Sequence, residues 1–519
     1  MSILICAGGS GSRILESVLH LCAAGLGPDK LSILMIDPDG ANGNGSRTKS
    51  LVGRYQNCRS AFGGKIGDVP FFRTELNLFQ TKEGDQGLNV WSPVPPGMEL
   101  EDIINYALLD ETNQDVTRLL FTSDELKMDM RVGFLGHPSV GAAAMSMLPL
   151  YGEQRPWTQL KEEIKTRISQ QECRVAIAGS VFGGTGSSSI HPLVRYLRNL
   201  PEQNHQRLKV AAIALAPYFQ FKASSKLKAQ DAGELAAKSE WFALATRAAV
   251  EFYDHLRENN DWDFDAMYWL GDDGLMEVDY SSGGPAQENP AHFVDLLAAI
   301  ACLDYFAGAP LTGSCLYSGP RQFEESDEEL QRRNVLQWED IPLAKLDREL
   351  VWTRLIQFAV MGATHLGFFE QLLKADRLDR EPYCVPWYLD RFATKENWLT
   401  TPENSRSIDV LSEYFRGSHF PWWREIHQST PRRVRLLNPL SFDGLDGKSP
   451  ELNLSRLSNM KWPETPRWQS AEKIDLFFTD CVRVSRESKG DDGVPAYVAM
   501  LAAGAERYLN REYRRRKES

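Results

Sequence analysis

The chain has 519 residues, of which 42% are hydrophobic and 25% charged, and its net charge is −12. That length holds two or three domains, each able to bury a core of its own. The acidic balance argues against sequence-independent nucleic-acid binding, which rests on neutralising phosphates with Lys and Arg. No stretch reaches the roughly 18–20 apolar residues of a membrane span. The start, Met1-Ser-Ile-Leu-Ile-Cys6, lacks the basic residues and the long apolar run of a signal peptide. The eight cysteines and nine histidines are scattered, with no Cys-x-x-Cys pair and no zinc spacing. A reducing, cytoplasmic setting is expected.

The first 50 residues predict a βαβ unit. Residues 3–6 form a short buried strand, 7–13 a glycine and serine turn, 14–24 an apolar-periodic helix and 31–36 a second buried strand. The second strand ends in Asp37-Pro38-Asp39-Gly40 and a polar loop. Residues 48–129 are less regular and read as an insertion. An apolar stretch from Arg131 leads into Gly136-His137-Pro138-Ser139-Val140-Gly141 and an Ala- and Met-rich helix. A helix over 157–170, a buried strand over 174–178 and the run Gly183-Gly184-Thr185-Gly186-Ser187-Ser188-Ser189 follow. Next come a helix from Pro192, the most apolar strand of the chain (208–217), a helix over 239–256 and a strand over 266–270.

Residues 290–306 are apolar almost all round, as in a helix buried mid-protein, with Pro290 in its first turn and Asn289 as its cap. Residues 309–335 read as a linker containing the charged stretch 322–333, and 336–519 as a C-terminal domain. That domain holds a helical stretch at 350–373 and the tryptophans Trp387, Trp398, Trp422, Trp423, Trp462 and Trp468.

The chemistry lies in the glycine turns. Phosphate needs several backbone N–H donors converging on one point, and glycines let the chain curl to supply them. A helix opening directly afterwards adds free amides and a positive dipole end. Gly183–Ser189 has this form after a buried strand. So does Ala7-Gly8-Gly9-Ser10-Gly11-Ser12-Arg13 after the first. Two such turns at one edge of a parallel sheet face one ligand. Neither is a dinucleotide fingerprint or a Walker A motif, since Ile14 replaces the last glycine of the former and no G-K-[ST] follows. The nucleophile-elbow pattern of a serine hydrolase is absent as well.

Taken together and in this order, the residues resemble the tubulin/FtsZ superfamily. The family's signature G-G-G-T-G-[ST]-G is similar to Phe182-Gly183-Gly184-Thr185-Gly186-Ser187-Ser188, with Phe182 and Ser188 replacing its outer glycines. Its first glycine turn resembles Gly8 to Arg13, and its acidic second-strand end resembles Asp37 and Asp39. Its Pro-Gly turn resembles Gly136 to Gly141, and its core helix the run from Pro290. The likeness covers residues 1–308 and is closest to the divergent bacterial tubulin-like proteins.

The resemblance implies an α/β fold, a tubulin/FtsZ-like nucleotide-binding domain with a parallel sheet and a central core helix, plus a C-terminal α+β domain. It implies GTP or GDP as ligand, with Mg²⁺ held mainly by phosphates and water, in part through Asp37 and Asp39. The signature turn (Gly183, Gly184, Thr185, Gly186, Ser187, Ser188) would hold the α- and β-phosphates, helped by Gly8, Gly9, Ser10, Gly11, Ser12 and Arg13. Gly136, His137 and Gly141 would sense the γ-phosphate, and Asn289 and Phe293 would contact the base.

The family completes its GTPase site with acids from the next subunit, patterned N-x-D-x-x-D. This chain lacks that pattern, and Trp338-Glu339-Asp340-Ile341-Pro342 with Asp347 is the nearest candidate. Two readings follow. One is a GTPase assembling head to tail into filaments. The other is a non-polymerising nucleotide-binding scaffold or regulatory subunit, with a protein partner met through the C-terminal domain. A third, a sugar-nucleotide transferase, explains the first glycine turn and leaves the second unexplained.

Overall fold

The structure is a computed structural model that describes residues 2–62, 70–95, 97–130, 133–200, 205–222, 239–272, 275–281, 283–311, 315–318, 343–366, 402–429 and 494–518. The candidate acid Asp340, most of the expected linker and Trp387, Trp398, Trp462 and Trp468 lie outside the described residues. The chain divides into two compact units. The first comprises Met1–Val18, Pro28–Val52 and Glu75–Lys345, and the second Leu19–Gly27, Gly53–Thr74 and Leu346–Ser519.

The first unit is built on a parallel sheet. Its strands are β1 (Ser2–Ala7), β2 (Lys30–Ile36), β3 (Glu75–Leu78), β4 (Val90–Trp91), β5 (Cys173–Ser180), β6 (Leu208–Leu215), β8 (Ala266–Leu270) and β10 (Cys315–Ser318). They lie in the order β10-β8-β6-β5-β1-β2-β3, with β4 pairing with the end of β2. The central strands are buried on both faces, so they read as continuous apolar runs without alternation. From β1 the chain builds outward through β2 and β3, then returns to the other side of β1 as β5. The switch point therefore falls between β1 and β5, which run in register from Ser2 opposite Arg174 to Cys6 opposite Ala178. In an open α/β sheet, a ligand crevice forms beyond the carboxyl ends of the strands at such a point.

The two glycine stretches differ from the turns their sequence predicts, because each strand runs almost directly into a helix: β1 into α1 (Gly8–Ala23), and β5 into α8 (Gly184–Arg198). Gly8 makes the first junction at φ +70, a conformation open to glycine. Pro192, expected to open a helix, sits inside α8.

The expected core helix is α10 (Phe293–Phe306), buried from Phe293 to Tyr305 and packed on β5, β6 and β8. The stretch read as an insertion adds α2 (Gly43–Phe62), β3, β4 and the short helices α3 (Leu100–Ile103), α4 (Glu111–Leu120) and α5 (Ser123–Leu126). Of these short helices, α3 and α5 share a small core, with Leu100, Leu126, Met130, Phe134 and Val140, under α6 (Pro138–Ser146). The helix α7 (Trp157–Gln170) has the bounds its apolar period predicts, and α9 (Ser239–Glu258) runs two residues further. Strands β7 (Phe219–Phe221) and β9 (Met276–Val278) form a separate parallel pair.

The described elements of the second unit after Leu346 are helices: α11 (Arg348–Thr364), α12 (Pro402–Tyr414), α13 (Phe420–Ser429) and α14 (Val494–Glu518). Its core surrounds two histidines. His20 Nδ1 lies 2.9 Å from the Tyr414 hydroxyl and 3.4 Å from His419 Nδ1, while Trp423 Nε1 donates to His419 Nε2 at 3.1 Å. His419 is fully buried, and burial pushes its pKa down to about 3. Among the described residues, no helix is long and apolar enough to cross a membrane.

Candidate functional site

The carboxyl ends of β1 and β5 open into a cleft of the first unit. The two glycine junctions meet there. A Cβ placed on Gly8 would stand 3.1 Å from Thr185 Cβ and 3.4 Å from the Gly186 amide nitrogen. Two helix N-termini thus touch across the switch point. Gly183, the N-cap of α8, has no side chain to cap the amides that follow. Such amides favour an anion. Gly11 and Gly186 are glycine for a second reason, since added Cβ atoms would lie 2.8 Å from the Ala178 carbonyl oxygen and 2.6 Å from the Ser180 backbone.

Arg13 ties this floor to the core helix. It is 2% exposed, its Nη2 donates to Tyr218 Oη at 2.5 Å and to Ser10 Oγ at 3.2 Å, and its Nε lies 3.4 Å from Asp295 Oδ2. Tyr218 in turn donates to Asp295 Oδ1 at 2.7 Å. Asp295 also accepts from the His292 amide at 2.9 Å, and His292 Nδ1 accepts from the Val294 amide at 3.1 Å. This capping box starts α10 at Phe293, so His292 takes the cap position expected of Asn289, and Pro290 precedes the helix. Burial, with the nearby Arg13 charge, pushes His292 down to about 3, so its imidazole is neutral and its Nδ1 free to accept.

A third wall comes from the loop after β2. Asp37 accepts from the Asp39 amide at 3.1 Å, while Asp39 accepts from the amides of Ala41 at 3.1 Å and Gly284 at 2.7 Å. Burial pushes the Asp37 carboxyl up to about 7; the Asp39 amide pulls it down and the Asp39 charge adds to the rise. Asn42 and Asn44 fix the loop before α10, through Asn42 Nδ2 to Gln287 Oε1 at 2.9 Å and Asn44 Oδ1 to the Asn289 amide at 3.0 Å.

Gly8, Gly9, Ser10, Arg13, Asp37, Asp39, Gly136, Gly183, Gly184, Thr185, Gly186 and Asn289 all line the cleft. The other expected residues do not. Gly11 is packed against strand backbone, and the Ser12 hydroxyl donates to the Gly8 carbonyl at 3.2 Å. The Ser187 hydroxyl donates to the Gly183 and Gly184 carbonyls, and that of Ser188 to the Gly184 carbonyl at 2.8 Å. Gly141 packs directly against Ser188. His137 pairs with Glu125, Nδ1 to Oε1 2.8 Å. Phe293 is fully buried in the core. Asp347 belongs to the second unit and caps α11, accepting from the Glu349 amide at 2.8 Å. Among the described residues, no group of three or more His, Cys, Asp or Glu is arranged to hold a metal ion.

Sequence reasoning missed Asn42, Asn44, Gln287 and an aromatic wall of Phe182, Phe219, Phe221, Phe242 and Tyr280, all on the cleft. The period-two spacing of Phe219 and Phe221 beyond Pro217 was the available signal for the strand that carries part of this wall.

A family model described as "Tubulin like" matches residues 149–237, a segment that holds β5, the Gly183 junction, α8 and β6. Among solved structures, CetZ from Methanosaeta thermophila is similar at 15% identity and a TM-score of 0.25, over 59% of this chain and 54% of that one. The chain thus spans about half the length of that structure. No curated protein matches. The family match falls on the elements that form the centre of the cleft, and over these residues the chain is similar to that tubulin-like family.

Proposed function

We propose that the first unit binds a purine nucleotide, GTP, with its phosphates on the amides where α1 and α8 begin. The observation that carries this reading is the meeting of those two uncapped, glycine-led helix starts at the sheet's switch point. Backbone amides and two helix dipoles supply the positive potential there, because Arg13, the arginine on the cleft, is held by Asp295 and Tyr218. The facing carboxyls of Asp37 and Asp39 suit the water shell of a phosphate-bound Mg²⁺, which supplies charge neutralisation when present. GTP rather than ATP follows from the relation to the tubulin/FtsZ superfamily.

Two uses of the nucleotide are distinguished by one experiment. The first is hydrolysis coupled to head-to-tail assembly. The second is a nucleotide-bound scaffold that does not polymerise, favoured by Asp347, whose carboxylate caps a helix. Titration calorimetry with GTP and Mg²⁺ tests binding, and the absence of heat at high protein concentration overturns the proposal. Light scattering and phosphate release then separate the uses. Hydrolysis that rises steeply with protein concentration supports assembly, and tight binding without scattering or phosphate release supports the scaffold.

A further inference from the structure

The aromatic wall of the cleft is unused by the phosphate chemistry. Phe182 directly precedes Gly183, where the family signature resembled by this turn has a glycine. Its ring lies 5.4 Å from that of Phe219 and 5.0 Å from that of Phe242. Phe221 continues the cluster, 5.5 Å from Phe242 and 5.4 Å from Tyr280. The rings therefore form a connected surface from the edge of the α8 junction to the segment after β9. Phe182, Phe219 and Phe242 are buried, whereas Phe221 and Tyr280 are only partly buried. The Arg13 guanidinium carbon stands 5.7 Å from the Phe219 ring centre, which adds a cation to one end.

We infer that Phe221 and Tyr280, backed by Phe182, Phe219 and Phe242, form the subsite that stacks the base of the bound nucleotide. The inference rests on the nucleotide reading above and names where the base lies. An occupant of this cleft meets an anion cradle and an apolar aromatic wall within one opening, and a nucleotide carries both an anionic and a flat aromatic part. Phe293, the aromatic residue expected beside the base, is fully buried and off the cleft. Phe221 and Tyr280 stand at 86° to each other, so a planar base meets one ring by its face and the other by its edge, and such contacts tolerate any base because each has a π-face. Discrimination between guanine and adenine then falls to polar groups such as the Gln287 amide, and the wall itself supplies affinity.

The test measures binding of GTP, ATP and inorganic tripolyphosphate by calorimetry to the full chain and to Phe221→Ala, Phe221→Leu and Tyr280→Leu. The leucine variants keep apolar bulk and protect against a loss of fold, which thermal melting monitors. The wild type is expected to bind GTP more tightly than tripolyphosphate. The variants are expected to lose roughly ten- to hundred-fold in affinity for both nucleotides and to keep their affinity for tripolyphosphate. Unchanged nucleotide affinity in all three variants overturns the stacking assignment alone. Parallel loss of tripolyphosphate overturns it too, since the wall would then be supporting the phosphate turns. A wild type that binds none of the three ligands overturns the nucleotide reading itself.

Discussion

The two units treat buried polar groups in different ways. In the second, several polar groups of the aromatic core close on neighbours. His419 lies between His20 and Trp423, His365 between Tyr497 and Ser412, and the Gln357 amide donates to the Ala502 carbonyl at 3.0 Å. In the first, the polar groups at the switch point line an opening: Asp37, Arg13, Ser10 and the amides of two helix starts. Burial with full pairing specifies a packed core, and burial beside a cleft creates a surface poised for a ligand. The contrast teaches that burial alone marks neither structure nor function, and that where the unfilled side faces is what separates them.

The largest expected effect is on the closed core. Trp422 is 1% exposed, and its ring lies 4.5 Å from that of His20 and 4.8 Å from that of Trp423. Trp422→Ala should lower stability by about 3–5 kcal/mol in denaturant unfolding. A loss under about 1 kcal/mol would mean that this cluster is not a packed core.

Asp37 gives the next effect, and its sign is opposite to that of the buried histidines. Its folded pKa of about 7 lies above the usual aspartate value, so the folded state binds the extra proton between about pH 4 and 7. Its contribution to stability therefore falls as pH rises through that window. His292 and His419, both pushed down to about 3, act oppositely. They favour the folded state at neutral pH and lose that contribution as pH falls from about 6.5 towards 3. Asp37→Asn should stabilise the ligand-free protein by about 2–4 kcal/mol at pH 8 and by little at pH 4. It should also leave a stability profile that rises more steeply between those values. Equal melting shifts at both pH values would show Asp37 to be ionised and well solvated.

Thr185→Asp probes the open side. Thr185 lines the cleft and is 8% exposed, at the point where the two helix starts touch. A carboxylate there would occupy the anion's position, and a loss of at least roughly hundred-fold in GTP affinity is expected, about 2.7 kcal/mol. Calorimetry showing unchanged affinity in a folded variant removes the phosphate assignment.

Much of this first unit is legible in the sequence because short-range signals fix it. Buried parallel strands are continuous apolar runs, α7 has a clear 3.6 period, and α10 is apolar almost all round. The junctions were readable as phosphate-like but not in shape, since a glycine stretch looks the same whether it loops or starts a helix at once. The start of α10 depended on Asp295, which is set by contacts with Tyr218 and Arg13, 77 and 282 positions away in sequence. Asn42 and Gln287 meet across 245 positions, and the aromatic wall joins four segments. Pairings of that range leave no periodic trace in one sequence.

The smallest expected effect sharpens the comparison within the signature stretch itself. Its glycines and threonine line the cleft, whereas the Ser187 hydroxyl donates to two carbonyls of its own helix start. A serine bonded back in this way belongs to the closed class of polar group, although it sits four residues from the N-cap of the helix. Ser187→Ala should therefore leave GTP affinity within about two-fold and change stability by no more than about 0.5 kcal/mol, since alanine is the better helix former. A ten-fold loss of affinity in this variant would mean that the hydroxyl turns from its own carbonyls to the ligand when the cleft is filled. Ser187 would then move from the closed class to the open one, and the line between the two would depend on occupancy as well as on position.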